Sequence, residues 1–355
     1  MKEKRAESPF SSAFISSNSR NGFYSLYDSV FDNQSFDRIF TLFGGPGTGK
    51  STFLRGISQK ARERGYAVEE ILCSSDPASL DALIVTNGEK RIGVLDGTPP
   101  HGRIITSPAV KEELIDLGAF WDAKRIAFHK DKILRLAARK KLAYARAYAL
   151  LSAFGSVWEE GNISLLPCFD KEKAKRHIRH KLQACKQKGT ATHRFMRAFS
   201  TQGEWRAPID EENLQGLLFI GGNQNAAEIY LTYFEEILQE LSIERTVFHS
   251  PLSPNSVDAI YLKEIKTLLI KEELRGGSVG GRRIVADRFF PAHAVIEKER
   301  RALTAPLLNT ALAVLKEAGE AHTATEAYYI DGMDFEALET FCKQKIESIL
   351  SLLTT

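Results

Sequence analysis

The chain has 355 residues, 43% hydrophobic and 26% charged, with a net charge of +3. The length suits about two domains, the composition suits a globular core, and the charge is too small to point to a nucleic-acid or membrane partner. Four scattered cysteines, Cys73, Cys168, Cys185 and Cys342, fit a reducing compartment better than a disulfide framework or a zinc site. No apolar run approaches the ~20 residues that span a bilayer, so the expectation is a cytoplasmic protein with no membrane partner.

Residues 1–37 begin with charges and continue Ser-rich, and read as a flexible lead-in. Within them Gly22-Phe23-Tyr24-Ser25-Leu26-Tyr27-Asp28 is aromatic, suited to pack against a sheet or to stack on a base. Residues 38–43, RIFTLF, form a buried strand that stops at Gly-Gly, and residues 51–64 form a helix stopped by Gly65. Between them runs GGPGTGKST: Gly44, Gly45, Pro46, Gly47, Thr48, Gly49, Lys50, Ser51 and Thr52. Strand, glycine loop and helix are the setting of a phosphate-binding loop (P-loop). The glycines let backbone N–H groups converge on phosphate oxygens, and the helix start adds its dipole. Lys50 is placed to reach the β- and γ-phosphates and Ser51 to bind Mg²⁺, which makes ATP and Mg²⁺ the expected ligands.

A second strand at 67–72 ends in Cys-Ser-Ser-Asp-Pro. Ser74, Ser75 and Asp76 then either border a substrate, as residues past strand ends do in α/β sheets, or turn the chain and cap a helix over 78–83. A third strand at 91–95 ends at Asp96, the expected metal-side carboxylate. No Glu follows it, so the water-activating base of many motor-type ATPases is missing there. The stretch VLDGTPPH resembles the Asp-Gly-x-Pro of adenylate-kinase-like nucleotide kinases, without their following Arg. That resemblance leans toward a small-molecule phosphoryl acceptor. His101 is suited to touch a phosphate, to shuttle a proton or to make a local hydrogen bond.

Residues 108–200 read as a helical extension, with apolar residues at helical spacing over 123–160. Its basic face includes Lys130, Arg135, Arg139, Lys140 and Arg146. Such an arm acts as a lid on a nucleotide site or as a solvated packing face. Residues 171–197 carry ten Lys or Arg against one acid, Glu172. A solvated connecting helix fits this stretch better than a nonspecific RNA contact.

The second half repeats the first. GGNQNAAEIY begins at Gly221, at a spacing of 177 from Gly44, and Asp81 and Asp258 keep the same spacing. A fainter echo links ALLSAFG at 149–155 with AVLKEAG at 313–319. At this spacing Lys50 becomes Ala227, Ser51 becomes Glu228 and Asp96 maps to Glu273, although the strand at 267–270 ends earlier, at Lys271, which leaves the exact counterpart of Asp96 open. The copy is expected to reject phosphate, because Glu228 reverses the sign of the charge.

GFYSLYD, GGPGTGKST, CSSDPASLDAL, DGTPPH, GAFWD and MDFE together resemble an uncharacterised family of bacterial tandem phosphate-loop ATPases and nucleotide-kinase-like proteins. The resemblance implies two P-loop domains with helical additions and carries site roles onto residues 44–52 and Asp96. It implies no particular reaction. In that family the second loop can be complete; here it is not. The expected fold is α/β: two tandem P-loop NTPase-like domains with mostly parallel sheets and helical extensions, over 38–203 and 204–355, the second degenerate. Two functions compete. One is an enzyme that cleaves the β–γ bond of Mg-ATP, as an ATPase or a kinase. The other is a nonenzymatic ATP-gated switch whose second domain docks a partner.

Overall fold

The computed structural model describes residues 8–100, 105–274, 280–291 and 298–354. The first half runs β1 (Ser12–Ala13), β2 (Ser16–Ser19), β3 (Gly22–Ser25), α1 (Tyr27–Val30), β4 (Arg38–Phe43), α2 (Lys50–Glu63), β5 (Ala67–Leu72), β6 (Leu80–Asn87), β7 (Lys90–Asp96), β8 (Glu112–Asp116), α3 (Ala123–Phe128), α4 (Lys130–Leu165) and α5 (Lys171–Lys181). The second runs β9 (Ala191–Phe195), β10 (Arg197–Ser200), β11 (Gly203–Arg206), β12 (Gly216–Gly221), α6 (Gln224–Glu240), β13 (Arg245–His249), β14 (Val257–Leu262), β15 (Thr267–Lys271), β16 (Arg282–Val285), α7 (Lys298–Ile330) and α8 (Phe335–Ser351).

Each half builds one six-stranded sheet, in the order β1-β5-β6-β7-β4-β8 and β9-β13-β14-β15-β12-β16. The two orders superimpose strand for strand. In each sheet three pairings are parallel, and one strand, β6 or β14, runs antiparallel to both neighbours. The helix expected over 78–83 is therefore replaced by a strand. Leu80 to Val85 are all buried, an apolar run covered on both faces. The Asn87–Lys90 pairing closes a two-residue turn with Gly88 at φ +64°, which returns β7 alongside β6.

The duplication starts earlier than the spacing of 177 suggests. Phe14, Ser19 and Gly22 correspond to Phe195, Ser200 and Gly203 at a common spacing of 181. The hairpins β2–β3 and β10–β11 share one turn chemistry. Ser19 Oγ donates to Gly22 O at 2.8 Å and accepts from Asn21 N at 3.1 Å. Ser200 Oγ donates to Gly203 O at 2.8 Å and accepts from Gln202 N at 3.1 Å. The stretch read as a flexible lead-in is thus in part an ordered strand and hairpin. Its polar residues are consumed in contacts between the halves: Ser17 Oγ donates to Pro251 O at 2.9 Å, and Asn18 Nδ2 to Phe199 O at 2.7 Å. Tyr24 packs edge-on against Phe195. The 203/204 division falls within the second of these hairpins.

Phe14 and Phe195 exchange both backbone hydrogen bonds, at 3.0 and 2.7 Å. When a residue pairs antiparallel with its own counterpart, a twofold axis passes between the two. The two halves are therefore related by a local twofold at the outer edges of their sheets.

The helical extensions are exchanged across this axis. α4 and α7 pack antiparallel along Ala143, Ala147, Leu151, Ala311, Val314 and Ala318, and the four alanines let the helices approach closely. α5 then joins the core of the second half, with Ala174 and Ile178 against Tyr230 and Phe234 of α6. α8 joins the core of the first, with Leu338 and Ile349 against Phe53 and Ile57 of α2. The exchange is reciprocal in detail. Asp170 caps α5 and its N–H reaches Phe289 O at 2.9 Å. Its counterpart Asp334, at a spacing of 164, caps α8 and its N–H reaches Phe120 O at 3.0 Å. The basic stretch 171–197 is helical only over α5, and its Arg194 and Arg197 are ion-paired with Glu69 and Asp258 rather than free for a polyanion.

Candidate functional site

β4 lies between β7 and β8, parallel to both, so Leu42 is in register with Asp96. Past Phe43 the six residues 44–49 loop over to α2. Gly47 and Gly49 take φ +73° and +76°, and Gly49 caps the helix, a conformation that disfavours a side chain. Lys50 Nζ donates to Gly44 O at 2.6 Å and Gly45 O at 2.9 Å, and stands 3.6 Å from Asp96 Oδ2. Asp96 Oδ1 accepts from Thr98 N at 2.7 Å, and Thr98 Oγ1 donates to Gly44 O at 2.8 Å. Thr48 Oγ1 donates to Gly45 O at 3.0 Å. Ser51 Oγ accepts from Leu80 N at 2.9 Å, which ties the helix start to the β5–β6 turn. Thr52 is exposed and Pro46 is half-buried on the loop. A β-carbon at Gly97 would stand 2.4 Å from Thr41 Cγ2, so a side chain after Asp96 would have to displace Thr41.

The other candidates divide. Ser74 Oγ shares a 3.0 Å hydrogen bond with Ser16 Oγ. Ser75 Oγ accepts from Tyr144 OH at 3.0 Å, and Ser75 O accepts from Thr201 N at 2.9 Å. Asp76 accepts from Ser79 Oγ and Gln202 Nε2, both at 2.7 Å. These residues sit by the loop helix, with their polar groups committed to structural contacts. His101 lies outside the described residues.

Sequence reasoning missed the roof of the loop. A β-carbon at Gly45 would lie 3.1 Å from Trp121 Cη2 and 3.9 Å from Tyr329 Cε1. One at Gly47 would lie 2.7 Å from Ile330 Cγ1 and 3.3 Å from Glu326 Cγ. Tyr329, Ile330 and Glu326 belong to α7, so the second half closes over the loop of the first. Gly47→Ala is accordingly expected to lower stability twice over, by about 1–2 kcal/mol for the left-handed backbone and by the collision with Ile330. Adding Ile330→Ala should recover only the second part. Thermal unfolding reads both, and an unchanged midpoint for Gly47→Ala would mean that α7 is not seated there.

One turn before Glu326, His322 stands with its Nδ1 3.5 Å from Lys140 Nζ of α4. Burial lowers the His322 pKa, and Lys140 and Lys50 lower it further against Glu326 and Asp76. Burial also lowers that of Lys140.

The second half answers each of these features. Ala82 pairs with Leu95 and Ala259 with Ile270. The counterpart of Asp96 is therefore Lys271, not Glu273, because the β14–β15 hairpin is two residues shorter between these paired positions than the β6–β7 hairpin, and the spacing falls from 177 to 175. Only two residues, Gly222 and Asn223, separate β12 from α6. Asn223 Oδ1 caps the helix at Ala226 N, and Asn223 N donates to Asp287 Oδ1 at 2.7 Å. A carboxylate of the chain thus occupies the loop amide.

Glu228 is not a bare carboxylate that repels an incoming phosphate, as its position at the helix start suggests. It is buried and accepts from Lys271 Nζ, Asn162 Nδ2 and Ser256 Oγ, each at 2.8 Å, and from Trp158 Nε1 at 3.1 Å. Burial pushes its pKa up, but Lys271 and these hydrogen bonds outweigh that and hold it below the usual range. Lys271 also meets Asp258 Oδ1 at 2.9 Å, and Arg197 Nε meets Asp258 Oδ2 at 2.7 Å. Against the cost of burial, Arg197 and Lys271 lower the Asp258 pKa to about 2. The first half thus sets a helix-start cation, Lys50, against a strand-end carboxylate. The second sets a helix-start carboxylate, Glu228, against a strand-end cation. Beside this network lies a cavity of about 260 Å³, walled by Phe154, Trp158, Phe199, Leu308, Arg206 and Glu273.

No family model, curated protein or solved structure matches the chain. Among the described residues no helix is long and apolar enough to cross a membrane.

Proposed function

We propose that the chain binds Mg-ATP on the loop of its first half and cleaves the β–γ bond, with water or a small-molecule acceptor taking the phosphoryl group. The observation that carries this reading is the glycine loop between a central strand and a helix, with Lys50 3.6 Å from a carboxylate that ends the adjacent parallel strand. The residues of the loop support it; the α/β architecture alone would not. Lys50 leaves the loop carbonyls for the phosphates, and the loop amides stabilise the charge that develops on transfer. The Ser51 hydroxyl and the Asp96 carboxylate are hard oxygen donors that fit Mg²⁺, which binds one or two protein oxygens together with phosphates and waters. Mg²⁺ would supply neutralisation of the charge that develops on transfer. Since the residue after Asp96 is Gly97 and carries no base, a proton acceptor for water must come from elsewhere, or the acceptor is a small molecule.

In the second half Glu228 and Asp287 fill the phosphate position from within the chain, so a single ATP is expected per chain. Calorimetry with Mg-ATP, followed by phosphate release under multiple turnover, tests both points. Two equivalent sites would overturn the one-site reading. Binding with no turnover would leave the ATP-gated switch, for which the exchanged helices are the linking element.

A further inference from the structure

The second half carries a version of the site with its anion built in. Four donors close around the Glu228 carboxylate, and two of them, Trp158 and Asn162, come from α4 of the first half. The helices α4 and α7 correspond at a spacing of 164, the spacing of their following caps Asp170 and Asp334. Packing supports the same equivalence. A β-carbon at Gly155 would strike Arg20 at 2.8 Å, and one at Gly319 would strike Thr201, the hairpin counterpart of Arg20, at 2.6 Å. At this spacing His322 is the counterpart of Trp158, while Ser51 is that of Glu228 at the spacing of the loops. A ring N–H from the partner half's arm thus meets an anion at the helix start in the second site. Among the described residues none supplies such an anion at the helix start of the first site, and the arm presents an imidazole.

The surrounding geometry agrees. His322 precedes Glu326 by one turn, so the two share the α7 face that covers Gly47. On α4, Lys140 and Tyr144 are one turn apart, and Tyr144 reaches Ser75 while Lys140 reaches His322. An ammonium donating to Nδ1 leaves the proton on Nε2. Lowering of the His322 pKa by burial and by the neighbouring lysines keeps the ring in this neutral form at pH 7.

We infer that His322, oriented by Lys140, donates its Nε2–H to the terminal phosphoryl group of a nucleotide held on the first loop, so that the second half completes the site of the first. The inference rests on the proposed nucleotide reading and assigns the incomplete half a direct part in it.

The test compares ADP with a non-hydrolysable ATP analogue by calorimetry on the full chain with Mg²⁺. In the parent the analogue should bind more tightly than ADP. His322→Ala should cut analogue affinity about tenfold to a hundredfold, the range of a hydrogen bond to a charged group, and leave ADP affinity unchanged. Lys140→Met should reproduce part of the loss, and His322→Asn, which keeps an N–H donor, should restore part of it. A purely structural role would move both nucleotides together. Parental analogue-to-ADP ratios in His322→Ala and Lys140→Met would overturn the assignment and leave the nucleotide reading intact. A parent that binds neither nucleotide would overturn both.

Discussion

Lys50→Ala is expected to reduce phosphoryl turnover by roughly 10²–10³-fold, the usual loss when one donor to developing charge is removed. Affinity for Mg-ATP should fall by about one to two decades, as for a charge-assisted hydrogen bond of ~1.5–3 kcal/mol. Fold stability should change little, because the Lys50 bonds are to loop carbonyls and its 3.6 Å pairing with Asp96 is loose. Lys50→Arg should recover little, since a planar fork cannot occupy the position of a point charge inside the loop. Phosphate release and calorimetry, with thermal unfolding as control, decide the matter. Parental turnover in a folded Lys50→Ala chain would remove the loop from the chemistry.

Lys271→Met is expected to act on stability. It deletes the cation that neutralises Glu228 at 2.8 Å and adjoins Asp258 at 2.9 Å, with all three side chains no more than 3% exposed. Breaking a buried pair by removing one partner costs about 3–5 kcal/mol. Asp258 keeps Arg197, so Glu228 bears most of the loss. Glu228→Gln in the same chain should therefore regain at least half of it, a coupling that a double-mutant cycle measures. The pH dependence has a defined sign. In the parent the carboxyls of Glu228 and Asp258 are held low, so their stabilisation is present above the unfolded carboxylate range and is lost as pH falls through the depressed folded values. In Lys271→Met the Glu228 carboxyl is buried without its cation, its folded pKa rises, and the variant gains stability relative to the parent as pH drops from 8 to 5. Denaturant midpoints across that interval read the effect. A variant as stable as the parent at pH 7 would mean that Lys271 is not needed to hold the network.

The local features of the first half were legible in the residues themselves. β4, the glycine loop, α2, β5 and the strand ending at Asp96 form where periodicity and turn residues place them, because each is dictated within a short stretch of chain. β6 was misread because a Ser-Asp-Pro turn can precede either a helix or a strand, and only cover on both faces chooses between them. The Ser-rich hairpin was misread for a related reason. Its serines resemble a loop until their partners, Pro251 and Ser74, are known to lie across the chain from them. The pairing of Asp96 with Lys271 was hidden by a two-residue contraction, which a constant spacing cannot see. The exchange of the arms has no local signal at all. Nothing in the residues of α7 says whether it covers its own loop or that of the other half.

That exchange fixes how the two halves can drift. In a pair of side-by-side repeats, losing one loop would release everything attached to it. Here α7 follows the loop of the second half along the chain and yet lies on the loop of the first. The tolerance of the second half to substitution must therefore be split within a single repeat. Around β12 and the start of α6 any internally neutral network can replace any other. On the face of α7 that bears Glu326, Tyr329 and Ile330, each change is felt at the loop of the other half. Such a chain cannot shed its second half by truncation without uncovering the loop of the first.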